Sequence, residues 1–374
     1  MVPDSANRYD TIVVGGGLVG AAVAFGMARR GRRVGVFDGG DRDFRASRGN
    51  FGLVWVQGKG ADYAPYARLS GAAASCWSDF AAQLLSDTGI DVGLEQNGGY
   101  DFCLEQAEWD ARASEMSRVA AHTDGEFEYE MLGNAELRQR IPEVSDEVLG
   151  ASYSPLDGHV NPLYLLRALH QRLLDLGAAY HGAEPVVSSA AEAGRFVVTS
   201  ARGRYRCERL VFCAGLANQR LAADLGMHIP LQPLRGQLLI TERVPRFLPC
   251  ATLQVRQTME GTLQIGDSHE DVGYDESTTL EVITRLAARA VRIFPHLRHV
   301  RLQRAWGALR VMTPDGNPVY QQSRAHAGAY AISCHSGVTL AAMHAGPVAA
   351  WLCGEPGHPL IGEFPADRFD VSAA

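Results

Sequence analysis

The first forty residues contain apolar runs of two different kinds. Residues 11–14 are all β-branched, which predicts a buried strand. Residues 21–28 are small or apolar and predict a helix that ends at Gly31. Residues 34–37 then predict a second buried strand, so this segment is expected to form a strand–helix–strand unit.

Helical and strand-like patterns alternate along the rest of the chain. The helix over 161–177 is well specified, because Asn161 is a good N-cap and Pro162 stands at the first helical position. Further helices are predicted at 70–84, 108–123, 134–141 and 281–294, and from about Gly337 onwards. Strands are predicted at 98–104, 230–240, 253–258, 262–265 and 329–333, and toward the end of 204–215.

Three glycines join the first strand to the first helix in a GxGxxG pattern. Gly15 permits a tight turn, Gly17 lets the backbone approach a pyrophosphate, and Gly20 lets the helix pack closely on the sheet. Asp38, which follows the second strand, can accept hydrogen bonds from a ribose diol. A chance glycine turn is the alternative, but strand, helix, strand and acidic residue in this order favour a dinucleotide site. The pattern by itself does not separate FAD from NAD.

The composition narrows the class of protein. The 374 residues include 46% hydrophobic and 21% charged residues, which are ordinary globular values and enough for two interlocked domains. The net charge of −7 and the lack of a basic run argue against a nucleic-acid partner. We expect no transmembrane segment, because glycines and arginines interrupt the apolar stretch 11–37.

The seven cysteines are scattered and form no CxxC pair, which favours a reducing compartment over a disulfide framework. The polar N-terminus does not look like a secretory signal. We therefore expect a cytoplasmic protein with no metal site and no iron–sulfur cluster of its own.

Two further segments are expected to contact the dinucleotide. Residues 41–60 contain many Gly, Arg and Ser residues, yet their apolar side chains do not suit a solvated surface loop. We interpret this segment as cofactor-lining backbone, with Ser47, Arg48 and Asn50 as polar contacts. A strand that runs into Ala214 and Gly215 suggests a second close approach of the backbone to the nucleotide.

Five motifs in this order resemble the D-amino-acid-oxidase-like family, which includes glycine oxidase, sarcosine oxidase and D-amino acid dehydrogenase. They are the N-terminal fingerprint, DGHVNP at 157–162, PLRGQ at 233–237, WGALRVMTPDGNP at 306–318 and HSGVTL at 335–340. A closer resemblance is to the β subunit of heteromeric dehydrogenases that act on opines (octopine, nopaline) or on D-hydroxyproline. SRGNFGLVWVQGKG at 47–60 and QVRQTMEGTLQIGDSHE at 254–270 look like that subgroup.

The resemblance implies an α/β fold in which a Rossmann-type FAD-binding domain interlocks with an α+β substrate domain built on an antiparallel sheet. The FAD-binding domain would comprise residues 1–75, 145–225 and 300–374. The substrate-binding domain would comprise residues 76–144 and 226–299. Some members of the family attach FAD through a cysteine before the TPDG-like turn; residues 306–310 contain none here, so we expect non-covalent FAD.

The resemblance also implies a substrate pocket. It makes Arg310 the ligand of the substrate carboxylate, which suits a guanidinium fork, whereas the alternative is a surface salt bridge. Gln254 and His269 fall at pocket positions that are Tyr and Met in glycine oxidase, which would make this pocket more polar; a structural role is as plausible for His269. His335 would lie beside the flavin, or simply contact the start of the final helix.

Four more residues are assigned to the cofactor by the same resemblance. Gly337, Val338 and Thr339 would offer backbone N–H groups near the flavin pyrimidine, where the helix start would stabilise negative charge on reduction. The Val186 backbone would meet the adenine.

The implied reaction is hydride transfer from a substrate Cα–H to flavin N5, with the substrate amine neutral and an imine as the product. The electrons would pass to partner subunits that carry flavin or iron–sulfur centres. A self-sufficient glycine, sarcosine or D-amino acid oxidase that makes hydrogen peroxide is the main alternative. A nicotinamide-dependent dehydrogenase and a flavin-binding subunit without catalysis are two further alternatives.

Overall fold

The computed structural model describes residues 7–40 and 45–370. The first four residues of the segment 41–60 therefore lie outside the described residues. The strands of the described part are, in chain order, β1 (Arg8–Val14), β2 (Val34–Phe37), β3 (Leu53–Val54), β4 (Gly99–Cys103), β5 (Glu130–Gly133), β6 (Gly150–Ser154), β7 (Gly158–His159), β8 (Ala179–His181), β9 (Val186–Glu192), β10 (Arg195–Ser200), β11 (Gly203–Phe212), β12 (Gln232–Arg243), β13 (Ala251–Thr252), β14 (Val255–Gln257), β15 (Thr262–Ile265), β16 (Leu302–Met312), β17 (Val319–Gln322) and β18 (Ala329–Ser333).

The α-helices are α1 (Leu18–Ala28), α2 (Ala64–Ser75), α3 (Trp77–Thr88), α4 (Gln106–His122), α5 (Asn134–Arg140), α6 (Pro162–Asp175), α7 (Asn218–Leu221), α8 (Leu280–Ile293), α9 (Ala341–Met343) and α10 (Ala349–Leu352). Short 3₁₀ turns cover Gly215–Ala217, Ala222–Leu225, Pro295–His299, Pro359–Glu363 and Ala366–Phe369. Within the described residues, no helix is both long enough and apolar enough to cross a bilayer.

The largest sheet has the strand order β17-β18-β11-β1-β2-β8. Strands β18, β11, β1, β2 and β8 are parallel, and β17 is antiparallel to β18. Strands β9 and β10 extend from β11 as an antiparallel pair. The helix α1 and the α9–α10 segment pack on one another and against this sheet. The predicted strand–helix–strand unit and the Rossmann-type sheet are confirmed.

The second layer contains two four-stranded sheets. One has the order β14-β15-β12-β16 and is antiparallel throughout; the other has the order β13-β4-β6-β5. An apolar core that includes Phe102, Leu239 and Phe294 lies between these sheets and α8. Arg310 lies on β16, and Gln254 precedes β14, so this layer supplies the side chains predicted for the substrate pocket.

The predicted helix over 161–177 is confirmed down to its cap. The Asn161 Oδ1 atom accepts hydrogen bonds from the backbone N–H groups of Leu163 (3.0 Å) and Tyr164 (3.3 Å). Pro162 is the first helical residue, and the helix ends just before Gly177. Local sequence determines this element, because cap, first turn and stop lie within one continuous segment.

Two predicted helices differ in the structure. The helix predicted at 70–84 is two helices that meet at Cys76, and the bend lets the indole N–H of the fully buried Trp77 donate to the Thr339 carbonyl at 3.0 Å. The final helix begins at Ala341 rather than near Gly337, after a turn over 337–340. Its wide π turn over His344–Val348 contains Pro347, which has no N–H to donate to a regular helix.

The division into two domains stays a prediction, and two strands cross the boundaries drawn from the sequence. Strand β6 pairs with β4 and β5, although residues 145–225 were assigned to the FAD-binding domain. Strand β16 pairs along its length with β12, although residues 300–374 were assigned there too.

Candidate active site

A cavity of about 760 Å³ opens at the carboxyl ends of β1, β2, β11 and β18. Open parallel sheets bind their ligands at this edge. Residues from each of these strand ends line the cavity, among them Val14, Phe37, Cys213 and Ser333. The cavity is elongated, since its walls run from Asp38 and Val186 to His335 and Gly337.

The glycine-rich loop forms the centre of this cavity, where Gly15 and Gly17 line the wall. A Cβ atom on Gly15 would lie 2.4 Å from the Cys213 carbonyl oxygen, and one on Gly20 would lie 1.9 Å from the Gly15 carbonyl oxygen. Both approaches are too close for any side chain. Gly17 is the N-cap of α1, so the start of the helix faces the cavity, as predicted from the sequence.

Asp38 lines the same cavity and also holds the glycine-rich loop in place. Its carboxylate accepts a hydrogen bond from the Gly16 N–H at 2.7 Å and another from the Gly40 N–H at 3.0 Å. Asp38 is therefore placed for the predicted ribose contact, with a second function in loop geometry that the sequence did not indicate.

The predicted polar contacts at 47–50 separate into two groups. Ser47 and Asn50 line the large cavity, and the Ser47 hydroxyl accepts a hydrogen bond from the Leu18 N–H at 2.9 Å. Arg48 is exposed and lies outside the walls of the three cavities described here, so its cofactor role stays a prediction. Val186 lines the cavity, as expected for an adenine contact.

The other end of the cavity is formed by Ala214, Gly215, His335 and Gly337. Val338 and Thr339 line a smaller neighbouring space instead. Burial holds the pKa of His335 well below 6.5, and the charges of Lys59, Arg310 and His269 lower it further. His335 is therefore a neutral imidazole at physiological pH.

The smaller space, called here the inner chamber, has a volume of about 160 Å³. It shares Asn50, Leu309 and His335 with the large cavity, so the two are adjacent. Its wall brings together residues from distant parts of the chain: Ala46, Gly49, Asn50, Phe51, Leu53, Trp55, Lys59, Gly236, Leu238, Leu253, Asp267, Ala308, Leu309, Arg310, Val311, Cys334, His335, Ser336, Val338 and Thr339.

Arg310 lies in this wall, as predicted, but it already has partners. One terminal nitrogen donates to the Ser268 carbonyl at 2.7 Å, and the other forms an ion pair with Asp267 at 2.9 Å. Its side chain is only 15% exposed, which excludes the alternative of a surface salt bridge. A substrate carboxylate that binds this guanidinium must compete with Asp267.

The other two predicted pocket residues lie elsewhere. The Gln254 side chain is buried and donates to Asp101 at 2.7 Å, and it lines a third cavity rather than the inner chamber. The His269 side chain is 61% exposed, lies outside the three cavity walls, and approaches Asp267 at 3.4 Å.

The third cavity, called here the outer chamber, has a volume of about 450 Å³ and is lined mainly by charged residues. It shares Leu253 and Asp267 with the inner chamber. Five of its seven charged side chains pair with one another: Arg112 contacts Asp101 and Glu115, and Arg289 contacts Glu108. The other two have partners outside this cavity, since Asp267 pairs with Arg310 and Arg118 with Asp62.

Sequence reasoning missed three polar residues of this region. Lys59 and Asp267 line the inner chamber, and the buried Asp157 accepts hydrogen bonds of 2.6 Å from the Val56 N–H and the Gln57 amide. Burial raises the pKa of Asp157 to about 7, against the opposing effect of these hydrogen bonds. Lys59 had a signal in the sequence, since it is the only lysine among the 35 Lys and Arg residues.

The large cavity and the inner chamber together fit FAD. The glycine-rich loop and the N-terminus of α1 suit the pyrophosphate, and Asp38 suits a ribose. The adjacent walls of the large cavity and the inner chamber both include His335, which suits a flavin ring at this end. Among the described residues, no group of three or more His, Cys, Asp or Glu side chains is placed to hold a metal ion.

Comparison with known proteins agrees with this geometry. The family described as FAD dependent oxidoreductase (DAO) matches residues 10–351. An opine oxidase subunit of Agrobacterium tumefaciens (strain Ach5) is 41% identical over 368 residues, which cover 98% of this chain and 99% of that protein. The corresponding opine oxidase subunit of Rhizobium meliloti has the same identity and coverage. These identities confirm the predicted resemblance to opine-oxidising subunits.

The fold has a close counterpart among solved structures. Glycine oxidase from Geobacillus kaustophilus superimposes with a TM-score of 0.89, covering 97% of this chain and 99% of that chain, at 23% sequence identity. This likeness concerns the fold, while the family match and the 41% identity concern the sequence. The chain belongs to the DAO family of FAD dependent oxidoreductases.

Proposed function

We propose that this chain is the catalytic subunit of a heteromeric FAD-dependent dehydrogenase that oxidises the Cα–N bond of an amino-acid-like secondary amine. The substrate class is an opine, or D-proline and D-hydroxyproline. The observation that supports this most directly is the position of Arg310, a largely buried guanidinium in a chamber that borders the dinucleotide cavity. The 41% identity to two opine oxidase subunits supports the substrate class and the heteromeric assembly.

Different residues of the inner chamber bind the substrate, orient it and shield it from water. Arg310 binds the substrate carboxylate through charge-assisted hydrogen bonds and thereby fixes the adjacent Cα. FAD held in the large cavity by the glycine-rich loop and Asp38 would supply the hydride acceptor for this Cα. His335 is held neutral by burial, so it adds no positive charge that would oppose binding of the substrate as an ammonium ion. Apolar neighbours such as Leu309 and Val338 exclude water from the reacting atoms.

The outer chamber supports a substrate larger than glycine. The inner chamber holds about 160 Å³, whereas small-molecule sites usually measure about 300–1,000 Å³. Leu253 and Asp267 border both chambers, and we infer that a substituent on the substrate amine extends past them toward the charged outer chamber. The amine substituent of an opine is a long carboxyalkyl group, whereas that of sarcosine is only a methyl group.

The test is anaerobic bleaching of the flavin in the purified chain, followed by admission of air. Octopine, nopaline, cis-4-hydroxy-D-proline, D-proline, glycine and sarcosine are compared. Bleaching by an opine or a D-proline analogue, with slow recovery in air, supports a dehydrogenase subunit. Bleaching by glycine or sarcosine, with fast recovery and peroxide, supports a self-sufficient oxidase instead. If Arg310→Ala retains both FAD and full amine-driven bleaching, Arg310 does not bind the substrate.

A further inference from the structure

Lys59 is the only lysine of the chain, and it lies in the wall of the inner chamber. The other 34 of the 35 Lys and Arg residues are arginines. Many of these arginines are exposed, and Lys59 is not. Within the described residues, its ammonium group is engaged by no hydrogen bond and no ion pair, which is unusual for a charge that is partly shielded from solvent.

The backbone places Lys59 in the chamber through a tight turn. The Lys59 N–H donates to the Val56 carbonyl at 3.0 Å, and glycines with φ of +75° and +69° stand on either side at positions 58 and 60. Asp157 accepts hydrogen bonds from Val56 and Gln57 just before this turn. The position of Lys59 is therefore fixed by its neighbours in the chain and not by an interaction of its own head group.

Charged and titratable groups from several elements face Lys59. Burial lowers the pKa of its ammonium to about 8, while Cys334, Asp157 and Asp267 act to raise it and Arg310 acts to lower it. The positive charge of Lys59 also lowers the pKa values of His335 and His269. With a pKa of about 8, Lys59 is mostly protonated at neutral pH.

The inner chamber thus contains two cations and one anion. Arg310 is paired with Asp267, and Lys59 is unpaired, so the three charges leave an excess of one positive charge. We propose that Lys59 determines specificity within the proposed substrate class: it binds a second carboxylate and so selects opine-type secondary amines, which have one carboxylate on each arm, over D-proline and D-hydroxyproline. This inference rests on the proposed function and specifies its substrate.

Charge balance distinguishes the two kinds of substrate. A secondary ammonium ion with two carboxylates has a net charge of −1, which matches the excess charge of the chamber. With a single carboxylate it is neutral, so Lys59 stays uncompensated. An uncompensated charge in a poorly solvated site costs binding free energy, and a direct partner recovers it.

The test measures binding without turnover, so its outcome does not depend on whether any amine is oxidised. Thiodiglycolate has a thioether with a carboxymethyl group on each side, and (methylthio)acetate has only one. Isothermal titration calorimetry gives both dissociation constants for the FAD-loaded protein and for Lys59→Met. We expect the wild type to bind the dicarboxylate at least tenfold more tightly. Lys59→Met should bind both ligands equally, with the (methylthio)acetate constant changed less than threefold.

The pH dependence gives a second readout. Because the protonated lysine is the binding form, the preference of the wild type for thiodiglycolate should fall as pH rises above about 8. The ratio of the two constants removes effects common to both ligands, including those on Arg310 and His269. A preference that Lys59→Met retains, or that does not change between pH 7 and 10, overturns the proposal.

Chemical labelling tests the proposal even if Lys59→Met does not fold. Since Lys59 is the only lysine, an amine-acylating reagent modifies a single side chain, which peptide mass spectrometry can quantify. Thiodiglycolate should slow the acylation of Lys59 in the FAD-loaded wild type at least tenfold, and saturating (methylthio)acetate should slow it much less. Equal protection by both ligands overturns the proposal. The flavin-bleaching panel tests the proposed function separately. A protein whose flavin is reduced by no opine can still show either of the two labelling results.

Discussion

A substitution on the strand opposite Arg310 can displace its guanidinium without removing the charge. Gly236 lies on β12 two positions after Leu234, which pairs with Arg310 of β16, and a Cβ atom at Gly236 would lie 2.5 Å from both terminal guanidinium nitrogens of Arg310. The backbone at Gly236 is ordinary strand, so alanine fits it without strain. In Gly236→Ala the far end of the arginine must therefore move.

The size of this movement sets the expected loss of activity. Ordinary contacts begin at 3.4 Å, so the guanidinium must withdraw from 2.5 Å by about 0.9 Å. A misplacement of about 1 Å in a positioning group can cost roughly 100-fold in rate. We therefore expect Gly236→Ala to lower kcat/KM for the best amine substrate by about 100-fold. FAD content should change little, because Gly236 is not in the wall of the large cavity, where the glycine-rich loop and Asp38 would hold the pyrophosphate and a ribose.

The assay is the rate of anaerobic flavin reduction as a function of substrate concentration, with FAD content measured by absorbance. Gly71→Ala is the matched control, since a Cβ at this helical position meets nothing within 4 Å. If Gly236→Ala keeps kcat/KM within threefold of the wild type, Arg310 does not position the substrate. A parallel loss in Gly71→Ala would show that the effect is not specific to the guanidinium.

Three further predictions concern the cofactor site, the helix packing and the ion pair. Asp38→Ala removes two charged hydrogen bonds to the glycine-rich loop and should weaken FAD binding by about 10- to 100-fold in a fluorescence titration, whereas Asp10→Ala, outside the cavity, should not. Gly26→Ala places a Cβ 2.2 Å from the Ala345 carbonyl and should lower the free energy of unfolding by about 1–3 kcal/mol in urea denaturation; Gly346→Ala, with open space around it, serves as the control. Asp267→Asn frees Arg310 from its internal partner and should tighten (methylthio)acetate binding by about tenfold in calorimetry, and weaker binding would show that Asp267 assists the ligand.

The dinucleotide half of the site could be predicted because its determinants are local. The turn at Gly15, the start of α1 and Asp38 lie within one continuous segment, and their spacing is imposed by the strand–helix–strand geometry. The same reasoning explains why the cap at Asn161 was correct to the residue. In each case, the interacting groups are separated by only a few positions or by one regular element.

The substrate half depends on pairings between distant segments. The Gln254 side-chain amide donates to Asp101, which lies 153 positions earlier in the chain. This bond keeps the Gln254 side chain in the wall of the outer chamber. His269 follows Asp267 by two positions, yet only Asp267 reaches Arg310 while His269 points to solvent. A motif indicates that such a residue is near the site, but the side chain that enters the chamber is decided by strand register and by the competition between neighbouring charges.

Lys59 shows what kind of sequence signal could have found the missing cation. All the other Lys and Arg residues of this chain are arginines. The single lysine therefore marks a position at which lysine and arginine are not equivalent. Arginine presents a wide planar fork that keeps its proton, whereas lysine presents a compact head that can lose its proton when buried. The inner chamber has little room and already contains one guanidinium, so a compact cation fits where a second fork would not. The proposal that a substrate carboxylate completes the site accounts both for the exceptional residue type of Lys59 and for its lack of a partner among the described residues.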